Sequence, residues 1–97
     1  MRGETQSVGD ILDVLVGRLG LKQRLKQAEA VRKWDEIVGE RIACETQAEI
    51  VRGKTLFVKV TSPIWAQELS FLKPEIMKKL RQEIGRGVIT DIRFKCG

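Results

Sequence analysis

Residues 46–69, TQAEIVRGKTLFVKVTSPIWAQEL, decide the fold. In the middle of this stretch Leu56, Val58 and Val60 alternate with Phe57, Lys59 and Thr61. That period-2 pattern is that of a half-buried strand, and the β-branched and aromatic side chains suit a pleated surface. Before the glycine, Thr46, Ala48 and Ile50 alternate with Gln47, Glu49 and Val51. A three-residue loop, Arg52 to Lys54, sets Ile50 opposite Leu56 and Ala48 opposite Val58. A two-residue Gly53-Lys54 loop sets Glu49 and Gln47 against the valines instead. A slip of one residue turns every side chain to the other face, so the pattern favours the longer loop or a bulge at Gly53. The predicted core face is Ala48, Ile50, Leu56, Val58 and Val60.

Working outward, Ser62 and Pro63 open a helix: the hydroxyl accepts from a free backbone N–H, and proline at the first position gives up no bond. Trp65, Leu69, Leu72, Ile76, Leu80 and Ile84 keep helical phase across Pro74. Because Pro74 cannot donate to the carbonyl four residues back, two helices are predicted, 63–72 and 75–84, with one kinked helix as the alternative. Gly85 and Gly87 end this region. Val88, Thr90, Ile92 and Phe94 then alternate with Ile89, Asp91, Arg93 and Lys95 as a last strand.

Upstream, Ser7 with Asp10 resembles a capping box. Val8, Ile11, Leu12, Leu15, Val16 and Leu19 form the stripe of a first helix that stops at Gly20. That helix is expected to pack on the rest of the chain or to serve as a homodimer contact. A second helix is predicted from about Leu21 to Val38, ending at Gly39, with Leu21, Leu25, Ala28, Val31, Trp34 and Val38 inward and Lys22, Lys26 and Lys33 outward. Trp34 reads as a core anchor, since its neighbours in the stripe are aliphatic. Ile42 and Ala43 are expected to add a further helical turn.

The 97 residues suit one domain, 1–97, with 1–6 flexible. No apolar run reaches the roughly 18 residues of a membrane span. The first ten residues lack the apolar region of a secretory signal, so a cytoplasmic location is expected. With no histidine and only Cys44 and Cys96, neither a zinc site nor a His-activated nucleophile can be assembled. No GxxxxGK[ST] or GxGxxG occurs. No cofactor and no enzymatic activity are expected.

Charge is uneven. Residues 1–58 hold 10 Lys/Arg against 9 Asp/Glu, whereas residues 59–97 hold 8 against 4, so most of the net +5 lies in the second part. Such a bias suits a polyanion. The candidate nucleic-acid contacts are Lys22, Lys26, Lys33, Lys73, Lys78, Lys79, Arg93 and Lys95. On the non-core sheet face Val51, Phe57, Lys59, Ile89, Arg93 and Lys95 mix apolar and basic groups. Three uses are open for that face: cover by the first helix, self-association, or contact with a chain of nucleotides.

After the first helix the order is helix, strand, strand, helix, helix, strand. This predicts an α+β fold of two layers with a three-stranded sheet, an order that resembles the type II KH fold. The KH groove needs a GxxG loop between paired helices, and here Leu72-Lys73-Pro74-Glu75 stands in that place.

Trp34-Asp35-Glu36-Ile37-Val38-Gly39, then Ile42-Ala43 and Thr46, Gly53-Lys54-Thr55-Leu56 with Val58 and Val60, Ser62, Trp65-Ala66-Gln67-Glu68-Leu69 and Ile92-Arg93-Phe94 together resemble the DciA family of bacterial proteins. The resemblance covers about residues 8–95. It implies a KH-like domain, binding of single-stranded or branched DNA in the nucleoid, and delivery of the replicative helicase DnaB. Many members carry a tail beyond this domain that contributes to helicase contact, whereas this chain ends two residues after Lys95; the resemblance therefore bears on DNA binding more directly than on loading. The alternative is a protein-interaction or RNA-binding KH-like module. Trp34, Gly39, Gly53, Trp65 and Leu69 are read as architecture.

Overall fold

The computed structural model describes residues 8–96, and side chains from residue 20 onward. The expected Ser7 cap and residues 1–6, expected to be flexible, lie outside the described residues, and so does the side-chain packing expected of Val8 to Leu19. The described chain forms α1 (Val8–Arg32), α2 (Trp34–Val38), α3 (Glu40–Ala43), β1 (Thr46–Arg52), β2 (Thr55–Val60), α4 (Pro63–Glu83) and β3 (Asp91–Cys96). The sheet order is β1-β2-β3, β1 antiparallel to β2 and β3 parallel to it. Parallel pairing needs a crossover, and α4 supplies it while covering one sheet face. This is the expected two-layer α+β arrangement, compatible with a small KH-like fold.

Leu56, Val58, Val60 and Ile92 form the inner sheet face and are buried against Trp34, Leu69, Ile76, Leu80 and Ile84. Trp65 and Leu72 pack at the margin of this core. Ser62 caps α4 as expected, its hydroxyl accepting from the Trp65 N–H at 3.3 Å.

Three local expectations are corrected. Gly20 does not stop a helix: α1 runs through it to Arg32. Glycine ends a helix effectively by taking positive φ, and Gly20 is not among the residues that do so. Its cost inside a helix is only about 0.5–1 kcal/mol. The helix bends instead at Lys33 (φ −96°, ψ 8°), and Gly39 ends α2 at φ 90°.

Second, α4 passes through Pro74 unbroken, the alternative to two helices. Proline in a helix interior costs about 3 kcal/mol. Burial of Leu69 before it and of Ile76, Met77 and Leu80 after it offsets that, at roughly 1.5–3 kcal/mol each. Pro74 and Ser70 are both exposed, so the deprived carbonyl of Ser70 lies on the wet side.

Third, the hairpin uses the two-residue turn, with Gly53 at φ 61° at its first central position. The bulge sits at Glu49, between Ala48 and Ile50, not at Gly53. Ala48 still faces Val58, but beyond the bulge Val51 pairs with Leu56 and Ile50 with Phe57. The sequence pattern holds on both sides of the turn only because one residue is squeezed out of register. Val51 therefore packs against the core, and Ile50, expected inside, is 47% exposed.

The inward face of α1 also differs. Leu21 and Leu25 are exposed, while Gln27 and Ala30 are buried. The Gln27 amide donates to the carbonyls of Gly53 (2.7 Å) and Val88 (3.1 Å), and Gln23 donates to Gly87 (3.2 Å). Loop carbonyls that the sheet leaves unpartnered thus select glutamines over leucines on this face. Val88 and Ile89 are buried just before β3, which begins at Asp91. Ile89 is therefore not on the outer sheet face.

Candidate nucleic-acid interface

The sheet face turned away from α4 is built by the alternation in β2. With Leu56, Val58 and Val60 inward, Thr55, Phe57 and Lys59 point outward. Register extends this into rows across the sheet: Gln47, Lys59 and Lys95; then Ile50, Phe57 and Arg93; then Arg52, Thr55 and Asp91. Phe57 lies at the centre, half-buried, and the Lys95 ammonium lies 5.9 Å from its ring centroid. Lys59, Arg93, Lys95 and Ile50 around it are exposed.

The carboxylates at this face are Glu45, which accepts from the Thr61 hydroxyl and borders the same depression as Lys59, Glu49 in the bulge, and Asp91 at the start of β3. Lys73 reaches from α4 to bond Asp91 at 2.9 Å, and the Arg93 Nε is 3.9 Å away. The Lys73 hydrogen bond, followed by the Ile92 backbone N–H, holds the Asp91 carboxyl below the usual carboxylate range. Asp91 is thereby satisfied within the chain, and the centre of the face is left to cations.

The other candidate contacts fall elsewhere. Lys78 and Lys79 are exposed on α4, where Lys78 joins Arg81, Gln82 and Arg86 around a shallow depression. Lys22 is exposed on α1. Lys26 is half-buried over the end of α4, its ammonium 3.6 Å from where a Cβ on Gly85 would sit. Lys33 pairs with Glu29 at 3.1 Å. The eight residues therefore form no single patch: Arg93 and Lys95 share the sheet face, Lys73 secures its edge, and the rest belong to α1 and α4. Phe57 and Lys59, placed by the sequence on the outer sheet face but not among the eight candidate contacts, complete the sheet group. Their outward parity in β2 was the signal that identifies them.

Trp34 is buried, and its indole N–H donates to the Thr46 hydroxyl (2.9 Å), which donates to the Ile42 carbonyl (2.8 Å). It is not a stacking platform. Leu69 is fully buried beneath the sheet. Leu72-Lys73-Pro74-Glu75 lies inside α4, so no loop separates paired helices and no KH groove forms there. On α4, Ile64 and Phe71 are exposed apolar groups at 76% and 74%. Among the described residues no group of three or more acidic or cysteine side chains could hold a metal, and no helix is long and apolar enough to cross a membrane.

Comparison with known proteins finds a match over residues 7–94 to the family described as "Dna[CI] antecedent, DciA". A UPF0232 protein of Corynebacterium glutamicum (strain R) is 28% identical over 89 residues, covering 92% of this chain and 50% of that protein. A UPF0232 protein of Bifidobacterium longum is 26% identical over 86 residues, 89% of this chain and 55% of its own. One of Rhodococcus jostii is 24% identical over 91 residues, with shares of 94% and 48%. The chain spans about half the length of these curated relatives.

Proposed function

The chain belongs to the DciA family, a bacterial DNA-replication family, and on that premise we propose that it is a non-enzymatic accessory that binds single-stranded or branched DNA and helps place the replicative helicase DnaB. The observation that carries this reading is the outer sheet face, where Lys59, Arg93 and Lys95 surround Phe57 and the carboxylate of Asp91 is engaged by Lys73. Lysines neutralise phosphates as point charges, and each phosphate contact releases condensed counterions. Binding of this kind is independent of sequence and falls steeply with salt. Lys78, Lys79, Arg81 and Arg86 on α4 provide a second basic surface, and Lys22 a further cation. Lys33 is already engaged by Glu29 and contributes least.

The helicase half of the reading is supported by Ile64 and Phe71, large apolar side chains on α4 turned away from the sheet. Exposed groups of this type suit a protein partner better than a polyanion.

The test is the affinity for a single-stranded oligonucleotide across a salt series, together with recovery of purified DnaB in nuclease-treated mixtures. A double substitution, Arg93→Ala with Lys95→Ala, is expected to lower the slope of log affinity against log salt by about 1.4 in magnitude if each residue neutralises one phosphate of the single strand. Lys78→Glu with Lys79→Glu measures the α4 surface in the same way. An absence of oligonucleotide binding by the unaltered chain would overturn the DNA-binding reading. Helicase recovery without oligonucleotide binding would point to a protein-interaction module.

A further inference from the structure

We propose that the outer sheet face selects single strands over duplex, with Phe57 stacking on one unpaired base while Lys59, Arg93 and Lys95 hold the neighbouring phosphates. The proposal rests on the DNA-binding reading above and deepens it by naming the group that meets the base. Phe57 is on the central strand, flanked by Ile50 on β1 and Arg93 on β3 in its own row. A half-buried ring in the middle of a sheet is held in place before any ligand arrives. Outward positions on one strand are about 7 Å apart and neighbouring strands about 4.8 Å. Lys59, Arg93 and Lys95 therefore ring Phe57 at the distances that separate a base from the phosphates beside it.

The ring is partly exposed on the outer face. The Lys95 ammonium, 5.9 Å from the centroid, is at the outer limit of a cation–π contact. A stacked base covers the ring more fully and leaves that ammonium for a phosphate. Stacking is open to any base, because each has a π-face, so the site discriminates strandedness rather than sequence. A duplex keeps its bases stacked on one another and offers this broad face only its phosphates. Charge selects the occupant: Lys59 follows Phe57 on β2 and Arg93 and Lys95 lie beside it on β3, with Ile50 on the β1 side, which favours a polyanion with flat apolar groups over an apolar protein surface.

The experiment compares fluorescently labelled single-stranded and duplex oligonucleotides of equal length, titrated with the unaltered chain and with Phe57→Leu and Phe57→Trp. Phe57→Leu keeps an apolar group and is expected to weaken single-strand binding about tenfold. Duplex binding and the salt slope should not change. Phe57→Trp is expected to retain single-strand binding and to add a quenching signal, read as the difference from the unaltered chain with its own Trp34 and Trp65. Single-strand binding that persists undiminished in Phe57→Leu overturns the stacking role, as does an equal loss on duplex. Phe57→Trp without added quenching also counts against it, and this arm stands even where Phe57→Leu impairs folding. If the unaltered chain binds neither oligonucleotide, the DNA-binding reading itself fails, a result distinct from the others.

Discussion

Lys73 and Asp91 show how one contact serves both packing and the candidate interface. The pair joins α4 to β3 across 18 residues and removes a negative charge from the edge of the face that carries Arg93 and Lys95. Because both side chains are partly exposed, the contribution to stability is modest, under about 1 kcal/mol. Its pH dependence follows from the depressed carboxyl. The contribution is complete above the unfolded-chain value of about 3.9 and is lost as pH falls through the lower folded value. We expect Lys73→Met to lower the urea midpoint at pH 7 and the difference to shrink at acid pH; a penalty that stays constant would rule out the ion pair as its source. Sequence spacing exposes Glu29 and Lys33 as neighbours at i and i+4, but gives no sign of a bond between residues separated by a crossover. Lys73 therefore reads from the sequence as a phosphate ligand, whereas the fold engages it with Asp91.

At the scale of the element, period and capping are well written in the sequence and helix ends are not. The β2 alternation, the Ser62-Pro63 start and the phase of Leu69, Ile76 and Leu80 are local patterns, and they appear as read. Gly20 and Pro74 read as breaks because each disfavours helix, yet the cost at Gly20 is only about 0.5–1 kcal/mol and that at Pro74 is offset by the burial of Leu69, Ile76, Met77 and Leu80. Nothing meets a Cβ added at Gly20 within 4 Å. Gly20→Ala should therefore stabilise the chain by about 0.5–1 kcal/mol, and a thermal melt that shows destabilisation would contradict an uninterrupted α1. The hairpin's bulge is hidden for a different reason. Two registers are each satisfied by half of the apolar residues, and only the ladder shows that both are used.

Across the whole molecule, the attachment of α1 is the part least legible in sequence. Its hold on the sheet runs through Gln27 to carbonyls 26 and 61 residues away, bonds that leave no periodic trace. Leu21, Leu25 and Ala28 carry the visible stripe, but Gln27 and Ala30 are the buried pair. Gln27→Leu removes the donor and strands two carbonyls, for a loss of about 1–3 kcal/mol. An unchanged denaturation midpoint would mean that water satisfies those carbonyls or that burial of the leucine offsets the lost bonds. At the candidate interface, strand alternation places Phe57, Lys59, Arg93 and Lys95 on one sheet face from the sequence alone, whereas the rows that join them, and the absence of Val51 and Ile89 from that face, need the strand order and the bulge. The bulge at Glu49 has one more effect, on crowding. It lies in an outermost strand, and an outermost strand with regular spacing invites another chain to zip alongside it. A displaced residue twists that border and spoils its spacing, which opposes edge-to-edge aggregation of copies at high concentration.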